Sequence, residues 1–406
     1  MRNITGNPVD GDDFFGREED LQQLRIAVED GNHILLLGPR RVGKSSLIAE
    51  LSRTLKVEGW TAIKVDVQDT ADEAAFLQQI QEAVKASGIE MPAMATVAEL
   101  VRGFRKFFRG SKVSVAGTGL ELKDGDVDWE EVASQLKSLI KSLPDSGRRV
   151  LITIDELPIF LNKLLRSENG SERVRRILDW LRSVRQACGT RLPWILCGSI
   201  GLDSFVVQHG LEGSINELLP QPLGALEPAQ ALELLKRLGL KRQDQHQCKL
   251  SDEVAGYMVQ RVGWPIPYYL QLLFHALKSL RNQDRSKDYP AAIDVQKAYE
   301  TLLSPQFQTH LGHWDSRLGD LLDGHQVSVA RELLNHLCEH PNGRSRDQLR
   351  DVLAREFPQA DPGKLDRELR ELLEFLERDG YLGREGAIYA FRSFLLRDFW
   401  KRKFGE

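Results

Sequence analysis

Cysteine is scarce and scattered. The 406 residues hold four, Cys188, Cys197, Cys248 and Cys338, and no CxxC pair, which argues against both a zinc site and a disulfide framework and leaves reduced thiols. Long hydrophobic runs are absent too. The longest, such as Val150–Ile154 and Trp194–Cys197, are strand-sized, so no membrane span is expected. Charge of one sign is not in excess: 55 Lys and Arg against 59 Asp and Glu give a net −4, which disfavours a general polyanion binder but leaves local basic patches open. Nothing at the start resembles a signal peptide, and a soluble, cytoplasmic chain is expected. With 41% hydrophobic residues, a chain of this length can bury a large core and should divide into about two or three domains.

What is present concentrates first in "HILLLGPRRVGKSSLIAEL", His33 to Leu51. Ile34 to Leu37 is too short for a helix and reads as a buried parallel strand. The loop after it fits GxxxxGK[ST], with Gly38, Gly43, Lys44 and Ser45 at the fixed positions and Pro39, Arg40, Arg41 and Val42 between them. Ser46 to Leu55 continues as a helix with Leu47, Ile48, Leu51 and Leu55 on one face. Strand, loop and helix in that order are what a phosphate-binding loop requires. Glycines let successive N–H groups converge on phosphate oxygens, and the helix N-terminus adds partial positive charge. Lys44 is then placed for the β and γ phosphates and the Ser45 hydroxyl for a Mg²⁺ shell.

A phosphate loop of this kind needs a metal and a water. "RRVLITIDELPIF" supplies a β-branched strand, Val150 to Ile154, ending on Asp155 and Glu156. This reads as a Walker B motif, with Asp155 holding Mg²⁺ and Glu156 polarising the attacking water. The next strand, Trp194 to Cys197, leads to Gly198 and Ser199, and Ser199 is the candidate for sensing the γ-phosphate. A serine in an ordinary glycine turn is the competing reading.

"FFGREED", Phe14 to Asp20, precedes the loop, and "VGWPIPYYLQLL", with Gly263, Trp264 and Pro265, follows far downstream. On these motifs the chain resembles the STAND and archaeal-type ATPases of the AAA+-related P-loop class, which end in a winged helix. The resemblance implies that Phe15, Gly16 and Arg17 approach the base side of the nucleotide, that Pro265 makes a lid contact, and that ATP with Mg²⁺ is the cofactor. Asp20 stands where the family's box usually has Glu. Ring-forming relatives usually place an arginine finger before the last core strand, but Asp203 to Leu223 contains no arginine, which disfavours a hexameric motor. Arg173, Arg175, Arg176, Arg182 and Arg185 cluster earlier, on a helix whose opposite face carries Val174, Ile177, Leu178 and Leu181, and read as a solvated face.

Between the phosphate loop and the Walker B strand, Arg102, Arg105, Lys106 and Arg109 interleave with Phe104, Phe107 and Phe108, a composition that suits nucleic acid by charge and stacking, while the i, i+3, i+4 spacing of the aromatics reads as a core-facing stripe; residues 112–123 read as a β-hairpin insertion. Helices are expected near 228–238, 251–262, 266–281 and 291–304. Residues 326–406 read as a winged helix with 15 basic and 15 acidic residues, and its third helix carries Asp366, Glu368, Glu371, Glu374 and Glu377. Only Arg392, Arg397, Lys401, Arg402 and Lys403, near Phe399 and Trp400, suit phosphates. "HLCEH", His336 to His340, matches the HxxEH metallopeptidase pattern but sits among Leu333, Leu334 and Leu337, which must pack.

The expected architecture is α/β: a P-loop parallel sheet over 10–226, a helical lid over 227–305, a linker over 306–325 and a winged helix over 326–406. The expected function is slow, Mg²⁺-dependent ATP hydrolysis as a switch, with ATP and ADP states read out to a protein effector or by self-association. The alternative is an initiator-like ATPase that places its winged helix on duplex DNA.

Overall fold

The computed structural model describes residues 1–89, 129–198, 201–240, 248–283 and 290–405. The hairpin expected near 112–123, the aromatic and basic segment before it, and Ser199 lie outside them. The chain divides into two compact units, one joining Met1–Glu18, Gly38–Leu47 and Leu223–Glu406, the other Glu19–Leu37 and Ile48–Pro222.

The second unit is built on five parallel strands: β1 (Ile34–Leu37), β2 (Trp60–Asp66), β3 (Arg149–Asp155), β4 (Trp194–Cys197) and β5 (Leu219–Pro222). Their order is β2-β3-β4-β1-β5. β1 and β4 have the expected bounds, and β3 is one residue longer at each end. Strands covered on both faces need apolar side chains throughout, and every residue of β3 after Arg149 is buried. Helices Glu73–Ala86, Trp129–Ser142, Leu157–Leu165 and Gly170–Cys188 bring Phe76, Leu136, Phe160 and Leu181 into the same core. Phe76 stacks on Phe160 with ring centroids 4.9 Å apart. Each such side chain contributes about 1.5–3 kcal/mol by leaving water. Because the strands are parallel, β1, β4 and β3 end along one edge of the sheet, with β4 in the middle.

Among the described residues, β5 is an edge strand of sequence LPQP. Leu219 N–H donates to His33 O at 2.7 Å, which turns the odd-numbered amides toward β1 and leaves Pro220 and Pro222 facing outward.

In the first unit, helices Pro228–Gly239, Asp252–Val262, Pro267–Gln283 and Ala292–Leu302 lie where the sequence placed them. Residues 306–325, expected as a linker, instead contain helices Gln308–Leu311 and His313–Leu321, and Leu311, Trp314 and Leu318 are buried. The remainder runs through helix Gly324–Cys338, β6 (Arg344–Ser345), helices Arg346–Glu356 and Pro362–Arg378, the hairpin β7 (Leu382–Glu385) and β8 (Ile388–Phe391), and helix Phe394–Phe404. The three strands form an antiparallel sheet of order β6-β8-β7. One continuous core, with Tyr269, Tyr299, Trp314, Leu333, Leu373 and Trp400, spans these helices from first to last. A buried ion pair reinforces it: Arg317 donates to Asp379 at 2.5 and 2.7 Å, and the Tyr381 hydroxyl donates to Trp314 O at 2.6 Å. Removing one partner of such a pair strands a buried charge and costs about 3–5 kcal/mol.

Candidate functional site

The loop that follows β1 adopts a conformation that its glycines permit. Gly38 and Gly43 have φ of 152° and 108°, and a Cβ on Gly38 would lie 2.4 Å from Leu223 O. Arg41 has φ of 67° although it is not glycine. Lys44 is buried, and its ammonium donates to Gly38 O at 2.6 Å and Pro39 O at 2.9 Å, holding it across the loop. The Ser46 hydroxyl accepts from Val9 N–H at 3.1 Å.

Phe15, Gly16 and Arg17 meet this loop from the N-terminal side. The buried Arg17 guanidinium donates to Val42 O at 3.1 Å, Gly224 O at 2.6 Å and Ala225 O at 3.5 Å, so it braces the loop through main-chain carbonyls. Gly16, at φ 73°, packs so closely that a Cβ would lie 3.2 Å from Leu226 Cδ2, and Phe15 lies under Arg237 at 4.4 Å. Pro265 joins through its carbonyl, which accepts from Leu226 N–H at 3.1 Å. The "FFGREED" box, the loop and the GWP tripeptide thus converge on residues 223–226.

Several contacts here were not read from the sequence. The Arg41 guanidinium stacks 4.5 Å from the Tyr268 ring centroid, and the Tyr268 hydroxyl is 2.8 Å from His310 Nδ1. Arg392 lies 5.0 Å from the Trp264 ring. Gly380, at φ 91°, lets Trp264 and Pro39 approach: an added Cβ would sit 2.8 Å from the indole and 3.1 Å from Pro39 Cβ. Burial first, then the charges of Arg40, Arg41 and Arg317, pushes the His313 imidazole down to about 3, so it is neutral at physiological pH.

The acidic strand end belongs to the other unit. Asp155 is buried as the last residue of β3. Its Oδ1 accepts from Glu156 N–H at 3.0 Å and from the Cys197 thiol at 3.2 Å, and its Oδ2 lies 3.9 Å from Lys64 Nζ. Glu156, partly exposed, occupies the left-handed region at φ 59° just before helix Leu157–Leu165. Such strain in a non-glycine residue at a strand end is stored where the surrounding structure over-determines it. At Gly198, a Cβ would collide with Pro158 Cδ at 2.6 Å.

The arginine helix departs from the expected solvated face. Val174, Ile177, Leu178 and Leu181 are buried as expected, yet Arg173 pairs with Glu73, and Arg185 is itself buried on Glu217 at 2.6 Å. Burial lowers the Arg185 pKa, and the nearby Glu217 carboxylate opposes that shift. The HxxEH match is a packing feature: His340 Nδ1–H donates to His336 O at 2.7 Å, and no group of three metal-ligating side chains occurs among the described residues.

Residues 13–187 match the family of the AAA ATPase domain. No curated protein sequence matches the chain. Among solved structures, a Walker-type ATPase of Pyrococcus abyssi is 19% identical with a TM-score of 0.61, covering 99% of this chain and 100% of its own. The Aeropyrum pernix ORC2 protein, solved as ADPNP–ADP complexes, is 12% identical with a TM-score of 0.57, covering 99% of this chain and 98% of its own. The chain therefore has a P-loop NTPase sheet followed by a helical region, is similar to the AAA ATPase domain family over residues 13–187, and shares its overall fold with these two structures.

Proposed function

We propose that this protein binds ATP with Mg²⁺, hydrolyses it slowly, and uses the nucleotide state as a switch. The observation that carries the reading is the loop itself: a GxxxxGK[ST] sequence with left-handed glycines and a lysine ammonium held inside it, following β1 of the parallel sheet in which β3, one strand beyond β4, ends on Asp155 with Glu156 next in the chain. In this reading Gly38 to Ser46 cradle the phosphates and Lys44 neutralises the β and γ oxygens. Ser45 and Asp155 supply hard oxygen ligands, which suit Mg²⁺, and the fixed orientation of Asp155 Oδ1 fits a carboxylate held ready for a cation. Bound Mg²⁺ would supply charge neutralisation on the phosphates. Glu156 orients and deprotonates the water, and Ser199 senses the γ-phosphate.

The readout passes through residues 223–406. The order of helix, short strand, two helices and hairpin from Gly324 to Phe391 supports the winged-helix reading, and its shared core with the lid helices suits it to follow the lid as one body. A protein effector, or a second copy of this chain, is the intended reader. Contacts of the loop with the lid, Arg41 on Tyr268, and with the C-terminal segment, Pro39 against Gly380, support a conformational output. The ORC2 complexes carry nucleotide on a similar fold, which supports ATP over an unrelated ligand.

Phosphate release from ATP by the purified chain, with and without Mg²⁺, tests the reading, and absence of metal-dependent release would end it. The exposed run Lys401 to Lys403 favours DNA as a second reader. Two of its three cations are already paired, Lys401 with Glu339 at 2.6 Å and Lys403 with Asp315 at 2.9 Å. Duplex DNA is therefore expected to bind no better than about micromolar at physiological salt, measured by fluorescence anisotropy at two salt concentrations. Nanomolar, sequence-selective binding would promote the DNA reading.

A further inference from the structure

We propose that Cys197 is a positioning residue for the metal carboxylate, orienting Asp155 through a hydrogen bond from its thiol; the inference rests on the nucleotide reading above. Cys197 ends β4, adjacent to β3 in the register that pairs Ile154 with Leu196, so its side chain arrives beside Asp155 with only 2% of its surface exposed. The thiol lies 3.2 Å from Asp155 Oδ1, and the Ile154 carbonyl, a weaker acceptor, is 3.6 Å away.

Asp155 Oδ1 therefore has donors on two sides, one from the main chain at Glu156 and one from the neighbouring strand. The thiol adds to the main-chain donor a second hold on Oδ1 from the neighbouring strand, and the direction in which Oδ2 faces follows from how Oδ1 is held. An apolar residue at the end of β4 would satisfy packing equally well, since the rest of the strand is apolar and buried. The thiol adds only orientation. Partners that orient a ligating carboxylate typically change metal affinity 10–100-fold, and a weak S–H donor belongs at the lower end of that range.

The test uses the full chain with a non-hydrolysable ATP analogue and Mn²⁺ as the probe, its binding followed by electron paramagnetic resonance. Cys197→Ala is expected to weaken Mn²⁺ binding about tenfold while leaving metal-free affinity for the analogue unchanged. Cys197→Ser, which restores a stronger donor on a shorter bond, is expected to stay within about twofold of the parent. Parental Mn²⁺ affinity in Cys197→Ala would overturn the proposal. So would equal loss in both variants, which would mark the effect as packing. If the parent chain binds no Mn²⁺ with the analogue, or Asp155→Asn leaves that binding intact, the nucleotide reading itself fails instead.

Discussion

Lys44→Ala is expected to abolish measurable ATP binding. The lysine is the side chain placed inside the loop, and its ammonium already satisfies two loop carbonyls, Gly38 O and Pro39 O, at 2.6 and 2.9 Å. Incoming phosphates offer better acceptors, because they carry full negative charge. Two charge-assisted bonds at about 1.5–3 kcal/mol each correspond to an affinity loss of at least roughly a hundredfold. Isothermal titration calorimetry with Mg·ATP checks this, beside a thermal melt of the nucleotide-free variant to show that the loop scaffold survives. Unchanged affinity would remove Lys44 from the phosphates.

Glu156→Gln is expected to separate binding from chemistry. Glutamine keeps the length and shape of the side chain, so the left-handed backbone at φ 59° and the N–H bond to Asp155 are retained. What it loses is basicity. Mg·ATP affinity should stay within a few fold, and turnover should fall by roughly a hundredfold or more, the scale on which general bases act. Single-turnover phosphate release measures the second quantity independently of product release. Turnover at the parental rate would assign the water to another residue.

The parts of the fold that were readable in sequence are those where one local signal dominates. β1 and β4 are short apolar runs bounded by glycine or proline, and a buried parallel strand is the state that satisfies such a run. β5 gave no such signal: Leu219 to Pro222 contains two prolines, which local propensity assigns to a loop, and only its place at the sheet edge makes it a strand. The expected linker failed for a related reason. Leu311, Trp314 and Leu318 recur at helical spacing, but Gly312 and Gly319 interrupt the run, and burial against the rest of the first unit decides the outcome.

For the candidate site, the motif residues were legible and their supports were not. Lys44, Asp155 and Glu156 declare themselves by residue type and spacing. Arg17 reads by resemblance as a nucleotide contact, whereas its guanidinium is turned to three main-chain carbonyls, a role that only tertiary geometry reveals. Cys197 was likewise weighed only as a free thiol and the end of a strand, because its proximity to Asp155 comes from strand pairing between segments about forty residues apart. Tyr268 under Arg41 could have been suspected from its place next to the GWP segment, but no spacing rule links it to the loop.

The prolines of β5 also limit how copies of this protein can meet. Since Leu219 turns its amide inward, the outward positions fall on Pro220 and Pro222, and neither has an N–H to offer. A strand arriving at that margin would find acceptors without donors and could not complete a ladder. Growth of the sheet by edge-to-edge addition is closed there at the level of covalent structure, without reliance on charge or solvent cover. Any assembly of this chain must therefore leave the β5 margin unzipped and recruit side chains or helices, while aggregation through this edge is suppressed even when neighbouring segments open transiently.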